Sequence, residues 1–201
     1  PAHWEGDYYI KADGSMAKNE WIYDNTYKSW FYLKSDGRYA RNELQGNYYL
    51  KSGGYMAKNE WVFDQTRQDW FYLKSDGRFA QNEWKGSYYL KSNGYMAKNE
   101  WVYDQTYKSW FYLKSDGRYA QNEWKGNYYL KSGGYMAKNE FIYDDTYKSS
   151  FYFKSDGAYA NQEWQKVDGK WYYFKKGGYL VKNQWQGNYY LNAQGVMMQN
   201  E

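Results

Sequence analysis

The apolar positions of this chain fall in bursts of three or four, separated by polar runs, and the bursts are aromatic. WFYL (Trp30 to Leu33), NYYL (Asn47 to Leu50), SYYL (Ser87 to Leu90) and WYYF (Trp171 to Phe174) are typical. Each burst is too short for a helix, and its residues favour a strand. No apolar i, i+3, i+4, i+7 stripe of useful length occurs. Gly in KG, QG or DG predicts a turn before the second strand of each unit. The recurring SDG, SGG or SNG predicts another after it, where positive φ is needed. The chain thus reads as β-hairpins and short connectors. Its one proline, at position 1, fits strands that donate all their backbone hydrogens.

The bursts recur with a fixed period. Trp4, Leu44, Trp84, Trp124 and Trp164 stand 40 residues apart, and Trp21, Trp61, Trp101 and Phe141 form a second series with the same spacing. Each 40-residue block splits into a short unit of 17 residues and a long unit of 23; after Glu163 come a 21-residue unit and a last short one. Ten units are expected, starting near 4, 21, 44, 61, 84, 101, 124, 141, 164 and 185. A lone hairpin is marginal in water, so neighbours must bury one another's rings. The prediction is an all-β solenoid of stacked hairpin repeats forming one module over residues 1–201. Pro1 to His3 run straight into the pattern, and Glu201 stands where another unit would begin. Both ends are therefore expected to be cut from something longer.

Composition sharpens this picture. With 29 Tyr, 12 Trp and 25% aromatic residues, the core must be built from rings packed edge-to-face or offset. There is no cysteine, hence no disulfide framework or thiolate site. No long apolar run predicts a transmembrane helix, so no membrane insertion is expected, and no signal peptide is evident. The net charge of +4 comes with basic residues that recur singly, which argues against nucleic acid.

Catalysis needs an asymmetric constellation, and nearly every ionisable residue here fills a repeated slot. Glu20, Glu43, Glu60, Glu83, Glu100, Glu123, Glu140 and Glu163 precede the unit-opening aromatics; Asp36, Asp76, Asp116 and Asp156 sit in SDG turns. These read as turn formers and strand-end solvation, not as a glycosidase carboxylate pair. His3 is the only histidine. No catalytic, metal or cofactor site is expected.

The rings offer more. Alternation puts Trp110 and Tyr112 on one face of a hairpin and Phe111 on the other. The next hairpin brings a third ring alongside. Many Tyr and Phe serve as core, but three electron-rich faces around a gap make a box for a quaternary ammonium. Each face is worth about 0.5–2 kcal/mol. Discounted for ordering and desolvation, this suggests roughly millimolar affinity per box, near −4 kcal/mol, with avidity from many boxes on one polymer.

The pattern W-x(n)-G-x-[W/N/S]-Y-Y-[L/F]-x-x-x-G-x-[M/Y]-[A/V]-x-N-E resembles the choline-binding (cell-wall-binding) repeat of Gram-positive surface proteins, from Trp4 to Glu201. The alternation of NYYLKSGGYMAKNE with WFYLKSDGRYAQNE is more specifically similar to modules carried by endo-β-N-acetylglucosaminidases. The resemblance implies a left-handed superhelix that docks on choline or phosphocholine of teichoic and lipoteichoic acids. It also implies a secreted, cell-wall-associated protein with an attached cell-wall hydrolase domain outside these residues.

In the family, a box takes the unit-opening Trp, the aromatic opening the second strand and a Tyr from the next unit, closed by a residue after the turn. On this chain the resemblance implies Trp21, Trp30 and Tyr49 with Tyr39; Trp61, Trp70 and Tyr89 with Phe79; and Trp101, Trp110 and Tyr129 with Tyr119. The 21-residue unit implies Trp164, Trp171 and Tyr190 with Leu180. Short units carry Asp7, Asn47, Ser87, Asn127 or Asn188 where the second aromatic belongs, so sets such as Trp84, Met96 and Tyr112 are expected to be weak or structural. Ser150 in the Trp slot predicts a lost site. Competing readings are a glucan-binding repeat module, for which single flat rings would suffice, and a structural spacer or adhesin stalk.

Overall fold

The computed structural model describes residues 1–199; Asn200 and Glu201, the end of the last expected unit, lie outside the described residues. Among the described residues every regular element is a strand, and the strands pair as ten antiparallel hairpins. The chain divides into two compact bodies, Pro1–Lys98 with Ser115–Arg118, and Asn99–Lys114 with the residues from Tyr119 on.

The first body holds the hairpins His3–Glu5 with Tyr8–Ile10, Glu20–Asp24 with Ser29–Leu33, Glu43–Gln45 with Tyr48–Leu50, Glu60–Asp64 with Asp69–Leu73, and Glu83–Lys85 with Tyr88–Leu90. The second holds Glu100–Asp104 with Ser109–Leu113, Glu123–Lys125 with Tyr128–Leu130, Glu140–Asp144 with Ser149–Phe153, Glu163–Val167 with Lys170–Phe174, and Gln184–Gln186 with Tyr189–Leu191. Within each body the hairpins follow one another as a solenoid of repeats.

Register explains which rings are buried. Trp21 faces Tyr32 and Tyr23 faces Trp30, so these four rings share one side of their hairpin. The other side carries Phe31 and Leu33, 4% and 0% exposed. The same alternation holds in the hairpin of Trp101 and Trp110, where Phe111 is buried and Tyr112 lies opposite Trp101. Tyr49, Ala57, Phe71 and Leu73 form one of the small cores, with Leu44, Val62, Phe79 and Tyr95 packed against it. An aliphatic core of ordinary size is replaced by a chain of such clusters.

Two devices hold the connectors. After the second strand, Lys34 N donates to Arg38 O (2.8 Å), and Ala40 N then returns to Tyr32 O (2.8 Å). Before the next unit, Asn42 adopts φ +55°, and Glu43 accepts from Lys34 Nζ at 3.2 Å and from Arg41 N at 3.3 Å. The pattern recurs at Glu20, Glu60, Glu83, Glu123, Glu140 and Glu163. The periodic glutamates are therefore staples between a hairpin's exit and the next hairpin's entry. Being half-exposed, each pair adds little, about 0–1 kcal/mol.

Candidate functional site

Successive units are joined by the segment after the turn. Met56, in the short unit from Leu44, donates its backbone N–H to Trp30 O of the preceding long unit at 3.2 Å. Tyr48 of that short unit meets Trp21 edge-on, with centroids 5.3 Å apart. The turn of the following long unit brings Asp76. The result is a cavity of about 360 Å³ lined by Trp21, Trp30, Tyr48, Met56 and Asp76.

The arrangement recurs. Trp61, Trp70, Tyr88, Met96 and Asp116 line a cavity of about 350 Å³ in the first body, and Trp101, Trp110, Tyr128, Met136 and Asp156 line one of the same size in the second. The second-strand tryptophans stay open to solvent, Trp30 and Trp110 at 43% and Trp70 at 39%. Burying a ring of this size is worth kilocalories, so leaving three of them open at equivalent positions is not economical packing. Each box offers π faces, a thioether and one carboxylate, an environment suited to a bulky apolar cation.

A second charge is bonded to the tyrosine of two of these cavities. Arg78 Nε donates to the Tyr48 hydroxyl at 3.3 Å and Arg118 Nε to the Tyr88 hydroxyl at 3.2 Å. These bonds, with the nearby Asp76 or Asp116 carboxylate, hold each guanidinium above its ordinary pKa.

The chain matches the model of the "Choline-binding repeat" family over residues 78–119 and 118–159, and that of the "Putative cell wall binding repeat" over 19–39, 59–79 and 162–180. Its backbone superimposes on the choline-binding domain of CbpL from Streptococcus pneumoniae with a TM-score of 0.83 and 50% identity, over 90% of this chain and 97% of that one. The chain belongs to the choline-binding repeat family.

Two further relatives are longer than this chain. The pneumococcal modular autolysin LytC is 54% identical with a TM-score of 0.50, the match covering 98% of this chain and 41% of that one. A pneumococcal protein named "Putative endo-beta-N-acetylglucosaminidase" is 57% identical over 28 residues, 14% of this chain and 4% of the relative. The match thus spans only a small part of that relative's length. Choline-binding repeats are non-catalytic, and they place a protein at the cell wall.

Against the expected choline boxes, the structure brings together the paired tryptophans but not the expected third wall. Tyr49, Tyr89, Tyr129 and Tyr190 each stand opposite their own unit's opening residue, Leu44, Trp84, Trp124 and Trp185. Tyr49 is 3% exposed, and burial pushes its phenol pKa up, as it does for Tyr129. The neighbouring Tyr48, Tyr88, Tyr128 and Tyr189 instead meet Trp21, Trp61, Trp101 and Trp164 at 5.3–5.7 Å. The physical reason is alternation: one residue along a strand is the other face, and register within the short hairpin commits the later Tyr inward.

The closing residues shift as well. Tyr39 packs on Trp4 (5.9 Å), and Phe79 on Phe71 (6.1 Å). Tyr119 bridges to Leu113 of its own unit. None of the three lines the cavity of its tryptophan pair, where Met56, Met96 and Met136 stand instead. Met96 accordingly belongs with Trp61 and Trp70, not with Trp84 and Tyr112. Leu180 N donates to Ser149 Oγ (3.3 Å), as Met136 N does to Ser109 Oγ (3.3 Å). It thus occupies the closing position of the Phe141–Ser150 hairpin. For Trp171, the equivalent partner is Met197, whose N–H donates to Trp171 O at 2.8 Å. Lys166 Nζ lies 5.9 Å from the Trp171 ring.

The short units build a different set. Trp4 meets Tyr9, Phe31 and Tyr39 edge-on at 5.0, 5.1 and 5.9 Å, and its indole N–H donates to Asp24 at 2.8 Å. Asp24 also accepts from Thr26 N and Tyr27 N. Its burial raises the pKa, but the bonds from Tyr27, Trp4 and Thr26 outweigh it and hold the carboxyl below its ordinary value. Trp124 and Asp144 repeat the pair at 2.8 Å. Sequence reasoning missed this carboxylate. The signal was present, since Asp24, Asp64, Asp104 and Asp144 close the first strand of every 23-residue unit.

Proposed function

We propose that residues 1–201 act as one choline-binding module that attaches its protein non-covalently to the bacterial cell wall through phosphocholine of teichoic and lipoteichoic acids. The reading extends to a secreted protein whose module delivers an attached cell-wall hydrolase, in keeping with the names of LytC and of the acetylglucosaminidase relative. The observation that carries the choline reading is the thrice-repeated box of two Trp, one Tyr, one Met and one Asp. A sugar ring needs one flat aromatic face with polar neighbours, whereas here the faces converge around a gap beside a carboxylate. Within this proposal, Trp21, Trp30, Trp61, Trp70, Trp101 and Trp110 supply the principal walls, and Trp164 with Trp171 a fourth pair.

The test is retention on a tertiary- or quaternary-amine resin followed by elution with free choline. Release by choline and not by an equal concentration of sodium chloride supports the reading. Passage through the resin, with retention on a glucan matrix, assigns the chain to glucan binding instead.

A further inference from the structure

Two of the three boxes carry a guanidinium on the ring that closes them. Arg78 is paired by an antiparallel bridge with Tyr48, and Arg118 with Tyr88. Each Nε donates to its tyrosine hydroxyl, at 3.3 and 3.2 Å. Each Arg also stands two residues past the Asp that lines the same box, and its backbone N–H bonds that carboxylate at 2.9 Å. Both side chains are exposed. Nε uses one of the five guanidinium N–H donors, which leaves the terminal nitrogens to solvent beside a tyrosine that lines the box. In the third box Asp156 keeps its place, but Ala158 fills the Arg position.

A carboxylate that lines an aromatic cage, with a guanidinium two residues on and bonded to the cage's tyrosine, suits a zwitterion better than a bare cation. We propose that Arg78 and Arg118 are specificity residues that hold the phosphate of a phosphocholine whose ammonium lies in the box. By the same geometry, the box of Trp101 and Trp110 takes the ammonium without a phosphate contact. The inference rests on the choline reading above. Because the guanidinium is solvent-exposed, and Asp76 or Asp116 repels part of an approaching anion's charge, the gain is modest. A preference for phosphocholine over choline of about two- to five-fold per box is expected, shrinking as salt rises.

The experiment titrates choline and phosphocholine separately into the unsubstituted protein, the Arg78→Ala/Arg118→Ala double variant, Ala158→Arg and Arg38→Ala. Arg38 repeats the bond to a tyrosine, Tyr8, at 3.1 Å, and it serves as the control. The double variant should lose the phosphocholine preference while keeping its choline affinity. Ala158→Arg should raise the preference, and Arg38→Ala should leave it unchanged. Equal loss of both ligands in the double variant would show that the arginines merely brace the tyrosines, and an unchanged preference would show that they do not contact the ligand. Either result overturns the inference and leaves the choline reading standing. Failure of the unsubstituted protein to bind either ligand sinks the choline reading itself, and the inference with it.

Discussion

The backbone N–H of Met56 donates to the carbonyl of Trp30 at 3.2 Å, which ties the closing residue of one repeat to the exposed tryptophan of the repeat before it. A box therefore exists only where two units are stacked in register, and a ligand held in it bridges them. Because contacts in a repeat array are local, each box can be perturbed separately.

Choline should stabilise the fold. A ligand that needs two stacked units binds the native chain and not the unfolded one, so stability rises by mass action. At a hundred times its dissociation constant, one site contributes about 2.7 kcal/mol. Thermal melting with and without tens of millimolar choline should show a concentration-dependent upward shift. Coincident curves would rule out binding at these boxes.

Tyr48 and Tyr49, adjacent in sequence, should fail differently when replaced. Tyr48→Ala removes one face of the Trp21–Trp30 box, costing about 0.5–2 kcal/mol of binding, or roughly two- to thirty-fold. Tyr49→Ala empties a position that is 3% exposed and should cost about 3–5 kcal/mol of stability, as buried aromatic truncations do. Denaturation midpoints and choline titrations on the two variants check this. The reverse pattern would return Tyr49 to the box.

Gly77→Ala should damage the box from behind. Gly77 has φ +89°, and an added Cβ would come within 2.7 Å of Met56 Cε. Strain at positive φ costs about 1 kcal/mol or more, and Met56 must move from the cavity wall. Both stability and the affinity of one choline site should fall, read by chemical denaturation and calorimetry. Gly86→Ala also carries a positive φ but meets nothing within 4 Å, so it should lower stability alone.

Acid should unfold the chain through its capped carboxylates. Burial raises the pKa values of Asp24, Asp144 and Glu163, but hydrogen bonds outweigh it and hold all three below their ordinary 3.8, 3.8 and 4.5. The unfolded chain then binds protons more readily, so stability from these groups is complete above about pH 4.5 and is lost as pH falls below 3.8 through the lowered folded values. Melting temperatures should be flat between pH 7 and 5 on this account and drop towards pH 3. Asp144→Asn weakens the charge-assisted bond to Trp124 and should cost about 1–3 kcal/mol at pH 7, with the gap to the parent protein narrowing as pH falls below 3.8. A gap that does not narrow at all below pH 3.8 would mean that the carboxylate charge is not what matters.

Much of this protein could be read along the chain. The 40-residue period, the hairpins and the sharing of a face by Trp110 and Tyr112 follow from the spacing of like residues and the two-residue repeat of a strand, which are local properties. The tryptophan pairs of the boxes were legible for the same reason, since Trp21 and Trp30 lie on one hairpin. What remained open was how one hairpin sits on the next. That Tyr48 rather than Tyr49 turns to Trp21, that Met56 and not Tyr39 closes the cavity, and that Asp76 arrives from a third unit all depend on the register between units. Hydrogen bonds such as Met56 to Trp30 and Phe79 to Asn47 set that register. They join residues 26 and 32 positions apart, beyond the reach of any local pattern, so only the packed structure could decide which rings meet.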